Sequence, residues 1–128
     1  MKTISIENAK KLEELGVKRE SLFHHETEAA LLHFTNGNML VPRSAFVSAY
    51  TADEIGEMLP HKVDNNRAYL VLEKDEVIAT RKEAWKCKYE YPGCTASLHK
   101  ERSDTMADTM AQMLIWLLEN GDLKLEEL

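Results

Sequence analysis

The segment 104–120 most constrains the fold, because its pattern is helical and its apolar residues occupy more than one side. Apolar positions recur at steps of three and four residues, which is typical of a buried helical face. They are Met106, Met110, Met113, Leu114, Leu117 and Leu118. Ile115 and Trp116 widen that face beyond one stripe, so the sequence predicts a helix that other elements cover on more than one side. Ser103 or Asp104 is the expected N-cap.

Two further helices are predicted from the residues at their ends. Ser5 is a suitable N-cap for a helix over about 6–15. Thr51 and Glu54 have the spacing of a capping box, in which each side chain accepts a hydrogen bond from an otherwise unpaired backbone N–H. Pro60 cannot continue this second helix, which we therefore expect to end just before it.

The clearest strand signal is a hairpin around the sequence Tyr-Pro-Gly-Cys at 91–94. Proline at the second position and glycine at the third are typical of a type II turn. Folding about that turn gives the expected pairs Tyr91 with Cys94, Tyr89 with Ala96, and Cys87 with Leu98. In this register one face, which includes Trp85, is wholly apolar, and the other is polar and carries His99. We therefore expect one face in the core and one in solvent.

The remaining alternation predicts several shorter strands. They are expected at 21–25, 29–34, 39–41, 45–49, 68–73 and 77–80, with a short helical turn as the alternative for 29–34. The dipeptide Asn36-Gly37 is a hairpin signal, since both residues tolerate positive φ. With no repeat or composition shift along the chain, we predict one α+β domain over 1–128: an antiparallel sheet of about four to six strands packed with three helices. The acidic tail at 126–128 is expected to be frayed.

Charge and composition exclude several classes of partner. The chain has 22 acidic and 16 basic residues and a formal charge of −6. This balance argues against a nucleic-acid binder, which needs a clustered basic surface. No apolar run approaches the roughly 18 residues of a membrane span, and the first residues lack an export signal. Two cysteines without an export signal indicate a reducing compartment, so we expect a cytoplasmic protein with neither nucleic-acid nor membrane partners.

The histidines and cysteines form no recognisable reactive or metal-binding pattern. His24, His25 and His33 lie close in sequence, but His24 and His25 point to opposite faces of a strand and leave a zinc ion short of ligands. Cys87 and Cys94 are separated by six residues and are not paired in the predicted hairpin, so we expect buried small hydrophobic residues. Catalytic and nucleotide-binding motifs do not occur. We therefore expect no metal, no cofactor and no catalysis.

Two arginines and two tryptophans are the remaining candidate site residues. Arg43 and Arg67 are candidates for binding an anionic small molecule, since guanidinium groups pair well with phosphate without any fixed motif. Trp85 and Trp116 are candidates for a protein interface, in which tryptophan is enriched. Solvated surface for the arginines and core packing for at least one tryptophan are the alternatives.

Three stretches resemble a known group of proteins. They are AKKLEELG at 9–16, SAYTADEIGEMLP at 48–60 and MLIWLLENG at 113–121. In these stretches the chain resembles a family of short proteins of unknown function encoded by bacteriophages, prophages and neighbouring bacterial genomes. The resemblance implies a small accessory protein in a bacterial or phage setting and implies no site residue. The segment 23–43 matches nothing in that family.

Three hypotheses about function follow. The first is a non-enzymatic accessory protein that acts by binding another protein or itself, because catalytic patterns are missing and apolar residues are abundant. The second is a protein that binds a small ligand such as a nucleotide-like metabolite, in a pocket between a curved sheet and its helices. The third is an enzyme with an unrecognised site around His24, His25 and His33.

Overall fold

A computed structural model describes residues 2–19, 21, 23–26, 46–77, 82–93 and 96–128 of the chain. In chain order the elements are α1 Ile6–Glu14, β1 His24–Glu26, β2 Phe46–Ser48, α2 Ala52–Met58, β3 Lys62–Val63, β4 Ala68–Val77, β5 Lys82–Glu90, β6 Ser97–Ser103, α3 Met106–Asn120 and a 3-10 helix Leu125–Glu127. Strands β3 to β6 form a four-stranded antiparallel sheet in the order β3-β4-β5-β6, and β1 pairs with β2 separately. The predicted α+β class is confirmed, and the described residues form three α-helices and a four-stranded antiparallel sheet.

Helix α3 is the centre of the core. It packs against β5 and β6 on one side and against α1 and α2 on the other. Its buried residues therefore lie around most of its circumference: Ala107, Thr109, Met110, Ala111, Met113, Leu114, Ile115 and Leu117. The predicted cover on more than one side is confirmed. The N-cap is Thr105, not Ser103 or Asp104, and its hydroxyl accepts from the Asp108 N–H at 3.2 Å.

The caps of the two shorter helices are as predicted. The Ser5 hydroxyl accepts from the Asn8 N–H at 3.3 Å. The capping box of α2 is complete, with Glu54 N–H to Thr51 Oγ1 at 3.2 Å and Thr51 N–H to Glu54 Oε1 at 3.0 Å. The helix ends at Met58, two residues before the proline. Local sequence signals therefore place both helices correctly.

The predicted register of the β5–β6 hairpin is wrong. Cys87 lies opposite Glu101 and Tyr89 opposite His99, with a bulge between Tyr89 and Glu90. Proline and glycine do form a turn, with φ of 70° at position 93, but the Tyr91 N–H donates to the Ala96 carbonyl, at 3.3 Å, so pairing resumes two residues later than expected. The bulge shifts the pairing by one further residue.

This shift changes which β6 side chains face the helices. The total offset is odd, and an odd offset moves side chains to the opposite face of a sheet. His99 and Glu101 consequently share the face of Cys87 and Tyr89, on which α3 packs. The expectation that His99 lies on the solvent face is therefore incorrect.

The other strand predictions are met in part where the structure describes them. The two strands predicted at 68–73 and 77–80 begin as the single strand β4, and 78–80 lie outside the described residues. Strand β2 lies within the predicted segment 45–49, β1 shares only its first two residues with the predicted segment 21–25, and β3 was not predicted. The predicted strands at 29–34 and 39–41, the hairpin at Asn36-Gly37 and the side chain of Cys94 also lie outside the described residues.

The C-terminal tail is not frayed. Residues 125–127 form a 3-10 helix, and Leu128 packs against the core. Among the described residues, no helix combines the length and the apolar character that crossing a bilayer requires.

Candidate interaction surface

Strand β6 ends the four-stranded sheet. Among the described strands its only neighbour is β5, so its other edge faces away from the sheet. An edge strand presents a row of backbone N–H and C=O groups that a further strand can pair with. β6 has seven residues, Ser97–Ser103, which is long enough for such pairing.

A cluster of three side chains lies beside this edge; we call it the edge cluster, and it consists of His99, Glu101 and Trp116. The rings of His99 and Trp116 are stacked, with centroids 4.0 Å apart and planes within 4°. His99 Nε2 lies 2.8 Å from Glu101 Oε1, because alternate residues of a strand share a face. The side chains of His99 and Glu101 remain 26% and 28% exposed, so the pair is reachable from solvent.

Trp85, the other interface candidate, belongs to a different part of the molecule. It is half-buried on β5, and Lys74 Nζ lies 5.6 Å from its ring centroid. Trp85 lines an open cavity of about 290 Å³ between the first turns of α2 and α3. The other lining residues are Lys2, Thr51, Ala52, Asp53, Asp104, Thr105, Met106 and Ala107.

The described lining of that cavity contains neither of the two arginine candidates. Arg43 lies outside the described residues. Arg67 is exposed after a turn in which 64–66 all have positive φ, and its N–H donates to the Asp64 carbonyl at 3.1 Å. It precedes the first residue of β4, whereas Trp85 pairs with Lys74 near the far end of that strand.

The side chains of Cys87 and Tyr89, which carry potentially nucleophilic atoms, are fully buried. Burial raises the pKa of the Cys87 thiol to about 12, so the thiol is protonated at neutral pH. Burial also raises the pKa of Tyr89, whose hydroxyl donates to the Pro60 carbonyl at 2.7 Å. These groups stabilise the core and are not presented to a substrate.

Among the histidines whose side chains the structure describes, His25 and His99 each have a polar contact. The ring Nε2 of His25 lies 2.7 Å from the Ile4 carbonyl oxygen, and His33 lies outside the described residues. Within the described parts of the chain, no group of three histidine, cysteine or carboxylate side chains is placed to hold a metal ion.

No protein-family model, curated protein or solved structure matches the chain. Inference about function therefore rests on its own residues. Of the edge cluster, sequence reasoning identified only Trp116. His99 and Glu101 were missed because their position depends on the hairpin register, and alternation along β6 gives no local sign of it.

Proposed function

We propose that the chain is a non-catalytic accessory protein that acts by binding protein, either another chain or a second copy of itself. The observation that carries this proposal is the edge of β6 with the edge cluster beside it. A partner strand added to a sheet edge gains main-chain hydrogen bonds, and neighbouring side chains supply specificity. Tryptophan is among the residues that contribute most binding energy at protein interfaces.

The state of Cys87 argues against covalent catalysis at that position. The reactive form of cysteine is the thiolate, and reactive cysteines sit in partly exposed, electropositive surroundings. Cys87 is 0% exposed, and burial holds its pKa far above neutrality. The thiol therefore contributes packing.

The proposed setting is the cytoplasm of a bacterial or phage-infected bacterial cell. It is supported by the resemblance of 9–16, 48–60 and 113–121 to phage and prophage proteins, stretches that fall on α1, α2 and α3. The formal charge of −6 favours a protein partner over a nucleic acid, since counterion release needs basic groups.

The proposal is tested by photo-crosslinking combined with sedimentation. A photoreactive amino acid replaces Lys100, which is exposed on β6, and in a control variant it replaces Lys10, which is exposed on α1. We expect a covalent product from position 100 and not from position 10, in a bacterial lysate or with the purified chain. Sedimentation of the purified chain into the high micromolar range then shows whether the mass exceeds 14.7 kDa. A monomer at every concentration with no product from position 100 would overturn the proposal.

A second candidate function is small-ligand binding, and the cavity beside Trp85 favours it. Its volume of about 290 Å³ is close to the lower end for ligand pockets, roughly 300 Å³. A ligand that enters should raise the melting temperature, and it should quench the fluorescence of Trp85 more than that of Trp116. A nucleotide panel measured with Trp85→Phe and Trp116→Phe variants separates the two signals. No shift with any member of the panel would count against this function.

A further inference from the structure

Strand β6 is self-complementary about its middle residue. Lys100 is the centre of Ser97–Ser103, with His99 before it and Glu101 after it. When two copies of a strand pair antiparallel about a central residue, the residue before the centre lies opposite the residue after it. His99 would then face the partner's Glu101, and Glu101 would face the partner's His99.

We propose that a second copy of this chain pairs along β6 in this register, so that the two four-stranded sheets continue as one. The proposal rests on the self-association part of the proposed function. It commits to a second copy because, when the same sequence runs in the opposite direction, each imidazole of His99 meets a carboxylate of Glu101 that can accept its hydrogen bond. A twofold axis at Lys100 makes the interface isologous, which is the usual arrangement of dimers.

Neighbouring registers are less favourable. In a continuous sheet, residues directly opposite each other must share a face. The twofold axis must therefore pass through a residue of β6, because an axis between two residues would pair side chains from opposite faces. An axis at His99 places two imidazoles opposite each other, and an axis at Glu101 places two carboxylates opposite each other. Like charges directly opposite each other destabilise a sheet, which disfavours the axis at Glu101, whereas the axis at Lys100 brings each imidazole to a carboxylate that can accept its hydrogen bond.

The side chain of Lys100 makes one unfavourable contact in the selected register. On the axis it faces the partner's Lys100, which is a like-charge pair. Its side chain is exposed on the sheet face opposite α3, and a long aliphatic stem lets the two ammonium groups separate in solvent. Because both ammonium groups stay in water, the repulsion between them is screened and weak.

Trp116 covers one face of the imidazole that takes part in the proposed contacts. His99 and Glu101 lie on the face that α3 covers, and the indole ring stacks on the imidazole at 4.0 Å. In each His–Glu pair across the axis, the imidazole would then keep its stacking contact with the indole ring of Trp116. A hydrogen bond to a carboxylate is stronger where part of the surrounding water is excluded than where it is fully exposed.

The test is a complementation between two charge variants. In the Glu101→Lys variant, the new lysine faces the partner's His99. In the His99→Glu variant, the new carboxylate faces the partner's Glu101. We expect each variant alone to dimerise about tenfold more weakly than wild type. An equimolar mixture should recover a heterodimer, because the new lysine then faces the new carboxylate and the remaining His99 faces the remaining Glu101.

A second variant keeps the test valid if His99→Glu disturbs the stack on Trp116. Lys100→Thr removes the like-charge pair and is expected to tighten the dimer about threefold or more, whereas Lys10→Thr on α1 leaves it unchanged. Dimerisation is measured by sedimentation equilibrium, with circular dichroism as the check on folding.

The possible outcomes separate this inference from the proposed function. A wild-type dimer that none of the β6 variants alters would overturn pairing along β6 and leave self-association standing. A wild-type monomer whose position 100 crosslinks to a different protein would overturn the second copy as occupant and leave protein binding standing.

Discussion

At the scale of single residues, the core contains ionisable groups whose charged forms are strongly disfavoured. Cys87 is fully buried, and burial raises its pKa from 9.0 to about 12. Tyr89 and Tyr50 have pKa values raised mainly by burial as well. In the unfolded chain these groups regain their ordinary pKa values, so their ionisation favours the unfolded state at high pH.

Stability is therefore expected to fall in alkaline solution. The native thiol of Cys87 holds its proton when the unfolded thiol has lost it, so the stabilisation is complete below pH 9.0 and is lost as the pH rises towards about 12. Urea unfolding at a series of pH values measures this loss. A Cys87→Ala variant should be less stable than wild type near neutrality but should lose less stability over that interval. Parallel curves for the two proteins would contradict the assignment.

At the scale of secondary-structure elements, the carboxylate of Asp108 joins two helices. Its Oδ1 accepts from the Ser5 N–H at 2.7 Å and from Asn8 Nδ2 at 2.9 Å, at the start of α1. Its Oδ2 accepts from the Thr105 hydroxyl at 3.3 Å, at the N-cap of α3. One side chain thus fixes the first turn of α1 against the first turn of α3.

Replacing this carboxylate should destabilise the contact between the helices. We expect Asp108→Ala to lower the free energy of unfolding by about 2 kcal/mol, because hydrogen bonds to a charged group are among the stronger ones. Asp108→Asn retains one acceptor oxygen and should lose less. Asp104→Ala is the matched control, since that side chain is exposed near the same helix start. Equal urea midpoints for the variants at 104 and 108 would show that the bridge does not stabilise the fold.

Sequence reasoning succeeded where an element is specified within a few residues and failed where it depends on distant ones. The capping box of Thr51 and Glu54 needs only its own backbone, and it was predicted correctly. Recognising Gly93 as a turn residue was also correct, but turn chemistry alone does not set where strand pairing resumes. The register depends on which β6 residues can lie under α3, so the edge cluster could not be located in advance.

At the scale of the whole molecule, residues near both ends of the chain pack in the same core. Ile4 is buried, and its N–H donates to the Tyr50 carbonyl at 2.9 Å. At the end of α1, Gly16 has φ of 94°, and a Cβ there would lie 3.0 Å from Leu125 Cδ1. The 3-10 helix therefore packs over the end of α1, and Leu128 adds a further apolar contact with the core.

Removing 124–128 is consequently expected to lower the free energy of unfolding by about 2 kcal/mol, because Leu125 and Leu128 lose the apolar area that they bury. The double variant Glu126→Ala/Glu127→Ala is the matched control, since both side chains are exposed and both leucines stay in place. Urea unfolding followed by tryptophan fluorescence measures both proteins against wild type. If the truncated chain were as stable as the control, the acidic tail would be frayed, as its composition predicts. Its contact with α1 would then not stabilise the domain.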